Sequence, residues 1–452
     1  YDGNNYVVAK SDKDAYKKIK EINPNIKFEE IHQDEDVLDT WFSSWIWPIS
    51  VFDGINKPEN AEFKYYYPTN DLVTAPEILF FWVARMIISG YEYCDQPPFK
   101  NVYLTGIVRD KIGRKMSKSL GNSPDPIELI EKYSADGVRV GMLLCSPAGN
   151  DLPFDESLCE QGRNFANKIW NSYRLIKSLN IDQKINQKSH CKSAILWFEN
   201  RINLKLEQIN KSFDQYRISE SLMITYKLIW DDFCSWYLEI IKPSFGEALD
   251  KETYEKTKYF LKTLLKLIHP FMPFISEEIW HDLKDNNEND LIVSNWPEPK
   301  EFDLNLDLNF SISMNIVTSI RNIRSKNNIP NSNKLDLFSA KKISFDEEVV
   351  KKLSNLKSIN FSKSKDEKYF SFICGSNEFY IPYGGNIDIE GEKRKIMKEL
   401  EHLNKFLISI KKKLDNNKFV SNAPVKVIEM ERKKENDTIE KIKILESRLK
   451  NI

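Results

Sequence analysis

The stretch GRKMSKSLGN, residues 113–122, places Arg114, Lys115 and Lys118 beside Ser117 and Ser119. Arg109 and Lys111 lie just upstream, and the nearest acid in the segment is Asp110. Positioned ammonium groups stabilise charge on a transferring phosphoryl group without covalent chemistry of their own. A mobile loop carrying such groups can close over a triphosphate and neutralise a departing pyrophosphate. The spacing differs from GxxxxGK[ST], which excludes a P-loop. A solvated surface loop has the same composition, so charge alone leaves both readings open.

Other reactive side chains are scattered. The five histidines, His32, His190, His269, His281 and His402, stand outside any His-x-Gly-His element. The six cysteines form no CxxC pair, which excludes a zinc ribbon within this chain and gives no disulfide framework. A cytoplasmic setting and no metal site are predicted. The longest apolar run, EILFFWVARMIISGY, is interrupted by Arg85 and is too short to cross a bilayer, so no membrane association is expected. The formal charge of −1, from 66 basic and 67 acidic residues, excludes a global polycation; any nucleic-acid contact must come from local patches. The first residue is Tyr1, which suggests a part of a longer polypeptide.

The elements that must position the lysine loop follow from periodicity. At 452 residues the chain is too long for a single core. NNYVVAKS reads as a strand and DKDAYKKIKEI as a short amphipathic helix, together the edge of a small α/β piece over 1–30. From 31 to 150, strands in YYYPTNDLVTA and NVYLTGIVRD alternate with helices in EILFFWVARMIISGY and DPIELIEKYSADGVRVGMLLC. This is the pattern of one half of an open α/β sheet, whose ligand sites lie at strand C-terminal ends. Gly113 permits a tight turn after the second strand. Residues 151–300 read as four long amphipathic helices, a bundle. Residues 301–385 are mixed α/β, with strands at KLDLFSA and EFYIPYG and a helix near 311–326. In 386–452, Ile396, Leu400, Leu403, Leu407, Ile410 and Leu414, then Ile442, Leu445, Leu449 and Ile452, give an apolar seam interrupted by NNKFVSNAPVK. That pattern predicts an antiparallel coiled-coil hairpin. Residues 391–452 hold 17 Lys/Arg against 10 Asp/Glu, compatible with an RNA contact or with an ordinary solvated helix face.

KMSKS resembles a signature of the class I aminoacyl-tRNA synthetases. DEDVLDTWFSSWIWP (34–48), ILFFWVARM (78–86), GRKMSKSLGNSPDP (113–126), RNFANKIWN (163–171) and PFMPFISEEIWH (270–281), with the terminal hairpin, are similar in order to the valyl-tRNA synthetases. The resemblance implies an α/β catalytic half, an all-α anticodon-binding bundle and a tRNA-binding hairpin. It implies activation of valine with ATP, accompanied by Mg2+, and transfer to tRNA-Val by a monomer. Lys115 and Lys118 would stabilise the triphosphate, with Met116, Ser117 and Ser119 shaping the loop. Trp41, Ile78 and Trp82 would line a small apolar pocket for valine, Ile78 and Trp82 sharing a helix face at four-residue spacing. Phe80, Phe81 and Val83 are expected in the core. Ala75-Pro76-Glu77 stands where the family commonly has Gly-x-Asp, so Glu77 would take the ribose contact. Arg163, Asn164, Asn167, Lys168 and Arg174 would face tRNA.

The family's histidine signature is not found here, and of its editing insertion only a trailing edge over 1–30 is recognisable. The resemblance therefore implies a C-terminal portion that is inactive alone. Isoleucyl- and leucyl-tRNA synthetases share the lysine loop, but DTWFSS with FFWVARM favours valine. A non-catalytic tRNA-binding protein would have no use for an intact KMSKS, and a coiled-coil interaction protein leaves 31–126 unexplained.

Overall fold

The computed structural model describes residues 5–145, 151–362, 369–375, 377–382, 389–416 and 424–451. The chain forms two compact units, Tyr1–Met116 with Ser146–Pro153, and Ser117–Cys145 with Phe154–Ile452.

In the first unit, helix Asp12–Ile22 starts where the Ser11 side chain accepts the Asp14 N–H, and it buries Ile19. The strand expected in NNYVVAKS is absent among the described residues 5–10. Tyr6 and Val8 are both 80% exposed there, because an alternating segment gains nothing as a strand without a partner edge. Strands Thr69–Thr74 and Phe99–Leu104 pair in parallel from Thr69↔Phe99 to Thr74↔Leu104. Parallel pairing requires a crossover, and residues 75–98 supply it. A second short parallel pair joins Val108–Arg109 to Leu152–Pro153. The expected α/β alternation is therefore present as two small parallel pairs.

The crossover is not one regular helix. A tight turn at Pro76–Ile78 is followed by a wide π-helical turn at Leu79–Val83 and then the α-helix Ala84–Cys94. Val83 and Met86 are buried, whereas Phe80 is 79% and Phe81 52% exposed. Placing both phenylalanines in the core was wrong, because a wide turn rotates side chains away from the positions that 3.6-residue spacing assigns.

The second unit is mainly helical. DPIELIEKYSADGVRVGMLLC folds as two helices, Pro126–Tyr133 and Ala135–Leu144, separated at Ser134 with φ +67°. Helices Glu156–Lys177, Ser189–Asp214 and Lys251–Ile268 build the bundle with a helical segment over 218–241 that widens at Leu228–Tyr237. The expected fourth helix splits at Pro270 and Pro273, and Pro273–Leu283 is separate. Phe198, Phe233, Tyr237 and Phe260 form a fully buried aromatic centre. Helices Ala135–Leu144 and Glu156–Lys177 approach so closely that a Cβ on Gly162 would lie 2.4 Å from the Gly137 carbonyl oxygen.

Helix Leu304–Lys326 leads to a four-stranded sheet in the order Leu356–Asn360, Leu335–Ser339, Asn377–Pro382, Tyr369–Cys374. The first two pair in parallel, bridged by helix Glu347–Ser354. The two strands read from sequence are present, and two more join them. Finally, helices Ile389–Leu414 and Val425–Asn451 pack on each other, burying Ile396, Ile410, Ile442 and Leu445. Leu400, Leu403, Leu407, Leu414 and Leu449 are half-buried, and Ile452 lies outside the described residues. Among the described residues, no helix is long and apolar enough to cross a membrane.

Candidate functional site

The lysine loop begins at the end of strand Val108–Arg109. Gly113 adopts φ +83°, a conformation that costs glycine no Cβ clash. Asp110 organises the turn: its Oδ1 accepts the N–H groups of Ile112 at 3.1 Å and Arg114 at 2.9 Å, and its Oδ2 accepts Arg114 Nε at 2.9 Å. Met116 N–H returns to the Val108 carbonyl at 3.0 Å, and Lys115 forms an isolated bridge with Arg109. Arg109 pairs with Asp151. Lys115 Nζ donates to both carboxylate oxygens of Glu77, at 3.0 and 2.9 Å. Asp110 is thus not the only acid facing these cations. Asp151 and Glu77 come from distant sequence, and only folding brings them in.

Beyond Met116 the loop is held within the second unit. Ser117 N–H donates to Asn122 Oδ1 at 2.9 Å, Ser117 Oγ accepts the Leu120 N–H, and the Ser117 and Ser119 hydroxyls lie 3.1 Å apart. Lys118 opens the tight turn Lys118–Leu120. Its side chain lies outside the described residues.

The aromatic positions are assembled by the helix Thr40–Trp45, whose Asp39 cap accepts the Trp41 N–H at 2.9 Å. Trp41 stacks on Phe81, with centroids 5.8 Å apart and planes at 25°. Trp82 Nε1 donates to the Ser44 carbonyl at 3.0 Å, and its ring faces Trp47 at 6.5 Å. Trp41, Ile78 and Trp82 are all half-buried, each on the segment pair that these contacts hold together. Ile78 ends the tight turn and Trp82 lies in the wide one, so the α-helical spacing used to place them on one face does not apply. Phe81 and Trp47 were missed as partners. Their signal was the density of aromatics in WFSSWIW and FFW, which a helix core would not have left exposed.

On helix Glu156–Lys177 the five expected tRNA-facing residues divide. Asn164, Asn167 and Arg174 are exposed on one face, with Asn171 between them. Arg163 is half-buried, with its guanidinium 5.6 Å from the Tyr133 ring and Nη1 donating to the Lys132 carbonyl. Lys168 packs 5.4 Å over Trp230.

Burial pushes the Cys191 and Cys234 thiols up to about 11, and all six cysteines are free. Among the described residues, Glu277, His281 and Asp290 bring ligand atoms within 4.8 Å of one another. Lys284 Nζ already sits 2.6 Å from Asp290 Oδ1, and the Leu291 and Ile292 N–H groups donate to Glu277.

Comparison with known proteins adds three family matches in chain order. Residues 2–155 match tRNA synthetases class I (I, L, M and V), 196–339 the anticodon-binding domain of tRNA ligase, and 388–452 the valyl tRNA synthetase tRNA binding arm. Arg163 to Arg174 lie between the first two. A valine--tRNA ligase of Christiangramia forsetii is 51% identical over 99% of this chain and 52% of its own length. One of Parabacteroides distasonis is 51% identical over 98% of the chain and 51% of its own length. A solved LeuRS–tRNA–LeuAMS ternary complex from Agrobacterium radiobacter K84 is 19% identical over 61% of this chain and 34% of that one, with a TM-score of 0.45. The chain spans about half the length of the curated relatives it matches. The chain is thus similar, in order, to a class I tRNA synthetase domain, an anticodon-binding domain and the valyl tRNA synthetase tRNA binding arm, and it shares half its residues with valine--tRNA ligases over nearly its whole length.

Proposed function

We propose that the chain is the lysine-loop portion of a valine–tRNA ligase. The observation that carries this is the 51% identity to valine--tRNA ligases across nearly its whole length. In the proposed reaction the valine carboxylate attacks the α-phosphorus of ATP, and pyrophosphate leaves. A terminal ribose hydroxyl of tRNA-Val then attacks the adenylate carbonyl, and AMP leaves. Lys115 and Lys118 neutralise charge growing on the pyrophosphate, Mg2+ accompanies ATP, and Met116, Ser117 and Ser119 shape the loop. Glu77 holds the ribose; its ion pair with Lys115 opens when nucleotide binds. An exposed pair of this kind costs only ~0–1 kcal/mol to break.

Trp41, Ile78 and Trp82 bound the valine side chain, with Phe81 and Trp47 fixing the two tryptophans. Such an apolar wall rejects isosteric threonine poorly. Asn164, Asn167 and Arg174 contact tRNA from an exposed helix face, while Arg163 and Lys168 chiefly hold neighbouring aromatic rings. The terminal helices act as a basic antiparallel coiled-coil hairpin along the tRNA backbone. The functional partition runs 1–30, 31–150, 151–300, 301–385 and 386–452, in a monomeric cytoplasmic enzyme.

The test joins this chain to the part of the Christiangramia forsetii relative that it does not span. The chimera carries out valine-dependent ATP–pyrophosphate exchange, the chain alone does not, and Lys118→Ala in the chimera slows exchange while leaving valine binding intact. Exchange driven by isoleucine or leucine in place of valine refutes the substrate; full activity of Lys118→Ala refutes the loop's role.

A further inference from the structure

Helix Thr40–Trp45, which carries Trp41, has only six residues, and none of them is buried. A helix this short owes its place to tertiary contacts, and burial of an apolar face supplies few of them here. On one side Phe42 and the following Ile46 border a cavity of about 590 Å³, lined also by Ile55, Phe63 and Tyr93. A helix backed by open space can yield in that direction, because no packed atoms resist it.

What holds the helix is the chemistry of its C-terminal end. The last carbonyls of a helix have no intrahelical partner. Pro48 has no N–H to offer the Ser44 carbonyl, and the Ile49 N–H donates to the Ile46 carbonyl at 3.0 Å. Both the Ser44 and Trp45 carbonyls are met from the crossover segment. Trp82 Nε1 donates to Ser44 at 3.0 Å, and the Ser89 hydroxyl to Trp45 at 3.1 Å. Ser89 is 5% exposed, so its bond is shielded from water. The Met86 carbonyl also lies 3.0 Å from the Ser89 oxygen, but it stands inside helix Ala84–Cys94, where the i→i−4 ladder supplies carbonyls with an N–H. The Trp45 carbonyl is therefore the one that depends on Ser89, and a buried acceptor left unmet is costly.

We propose that Ser89 is a positioning residue that sets which amino acid the site accepts. Through the Trp45 carbonyl it fixes the short helix against the crossover, and with it the separation of Trp41 from Trp82. When that tie is lost the helix settles toward the cavity and the apolar wall opens. A side chain one methylene larger than valine then fits. The inference rests on the valine site proposed above and adds to it a residue that acts through the backbone of Trp45.

The test follows ATP–pyrophosphate exchange by the chimera with valine and with isoleucine. Ser89→Ala raises the KM for valine about five-fold with kcat unchanged, and the valine-over-isoleucine ratio of kcat/KM falls about ten-fold. Ile55→Phe, at an exposed position that lines the cavity, restores the ratio when added to Ser89→Ala, because it fills the space into which the helix retreats. A ratio unchanged in Ser89→Ala overturns the inference and leaves the proposed function standing. So does a fall in kcat for both amino acids with the ratio intact, which is what a purely structural role produces. An unmodified chimera that exchanges with neither amino acid, or with isoleucine as readily as valine, overturns the proposed function itself.

Discussion

Arg201 holds together the scaffold on which any anticodon contact depends. From helix Ser189–Asp214 its Nε reaches Asp232 Oδ2 at 2.9 Å, and its Nη1 reaches the two Asp307 oxygens at 3.0 and 2.9 Å. The Asp232 side chain is 8% exposed and that of Asp307 16%. Burial pushes the Asp232 carboxyl up from its ordinary value, and the adjacent Arg201 partly offsets this. Burial also opposes charge on Arg201, but Asp232 and then Asp307 attract it strongly enough to carry it upward.

Arg201→Met keeps the unbranched stem of the side chain and removes its guanidinium and charge, leaving Asp232 buried without its counter-ion. Breaking a fully buried pair costs about 3–5 kcal/mol. Asp307 lies in the first turn of its helix, where the dipole supports negative charge, so the penalty falls mainly on Asp232. The lower end of the range, about 3 kcal/mol, is therefore expected. At roughly 2–4 °C per kcal/mol, melting of the helical unit followed by tryptophan fluorescence falls by about 6–12 °C. The sign with pH is fixed by the same group. An acid whose folded value is raised binds a proton more readily folded than unfolded, so stability rises as pH falls through that value. Without Arg201 the Asp232 carboxyl rises further, and the variant's deficit is smaller at about pH 5 than at about pH 8. A deficit below about 1 kcal/mol, or one equal at both pH values, refutes the reasoning.

Gly162→Ala places a Cβ 2.4 Å from the Gly137 carbonyl oxygen. It should destabilise the helical unit by about 1–3 kcal/mol in denaturant titration. In the chimera, Glu77→Gln should raise the KM for ATP about five-fold through loss of the ribose contact, even though release of the exposed ion pair with Lys115 by itself would lower it; an unchanged or lower KM removes Glu77 from the ribose contact. Trp82→Ala and Phe81→Ala should both raise the KM for valine, the second through loss of the stack on Trp41; if Phe81→Ala has no effect, that stack does not shape the pocket.

Legibility followed the range of the physics involved. The bundle helices were readable because their apolar spacing repeats over several turns, and the breaks at Pro270 and Pro273 are local chemistry. The strand predicted in NNYVVAKS failed because pairing is non-local: Tyr6 and Val8 alternate correctly but have no partner edge among the described residues. Phe80 and Phe81 failed for the opposite reason. Their sequence is as apolar as a core helix, yet a single wide turn over Leu79–Val83 carries both outward. The partners of the lysine loop were equally out of reach, since Glu77 lies 38 residues from Lys115 and Asp151 lies 42 from Arg109.

The loop itself contains a division that its signature conceals. Lys115 and Met116 belong to the unit of the parallel strands, fixed through Glu77 and the Val108 carbonyl. Ser117 and Ser119 belong to the helical unit, with Ser117 fixed through Asn122. KMSKS is contiguous in sequence, but each part takes its support from a separately packed unit. Substitution at Lys115 competes with a defined ion pair inside one unit, while substitution at Lys118 acts on the segment carried by the other. Separate replacement of the two lysines can therefore distinguish their contributions; deletion of the loop removes the support of both at once and cannot.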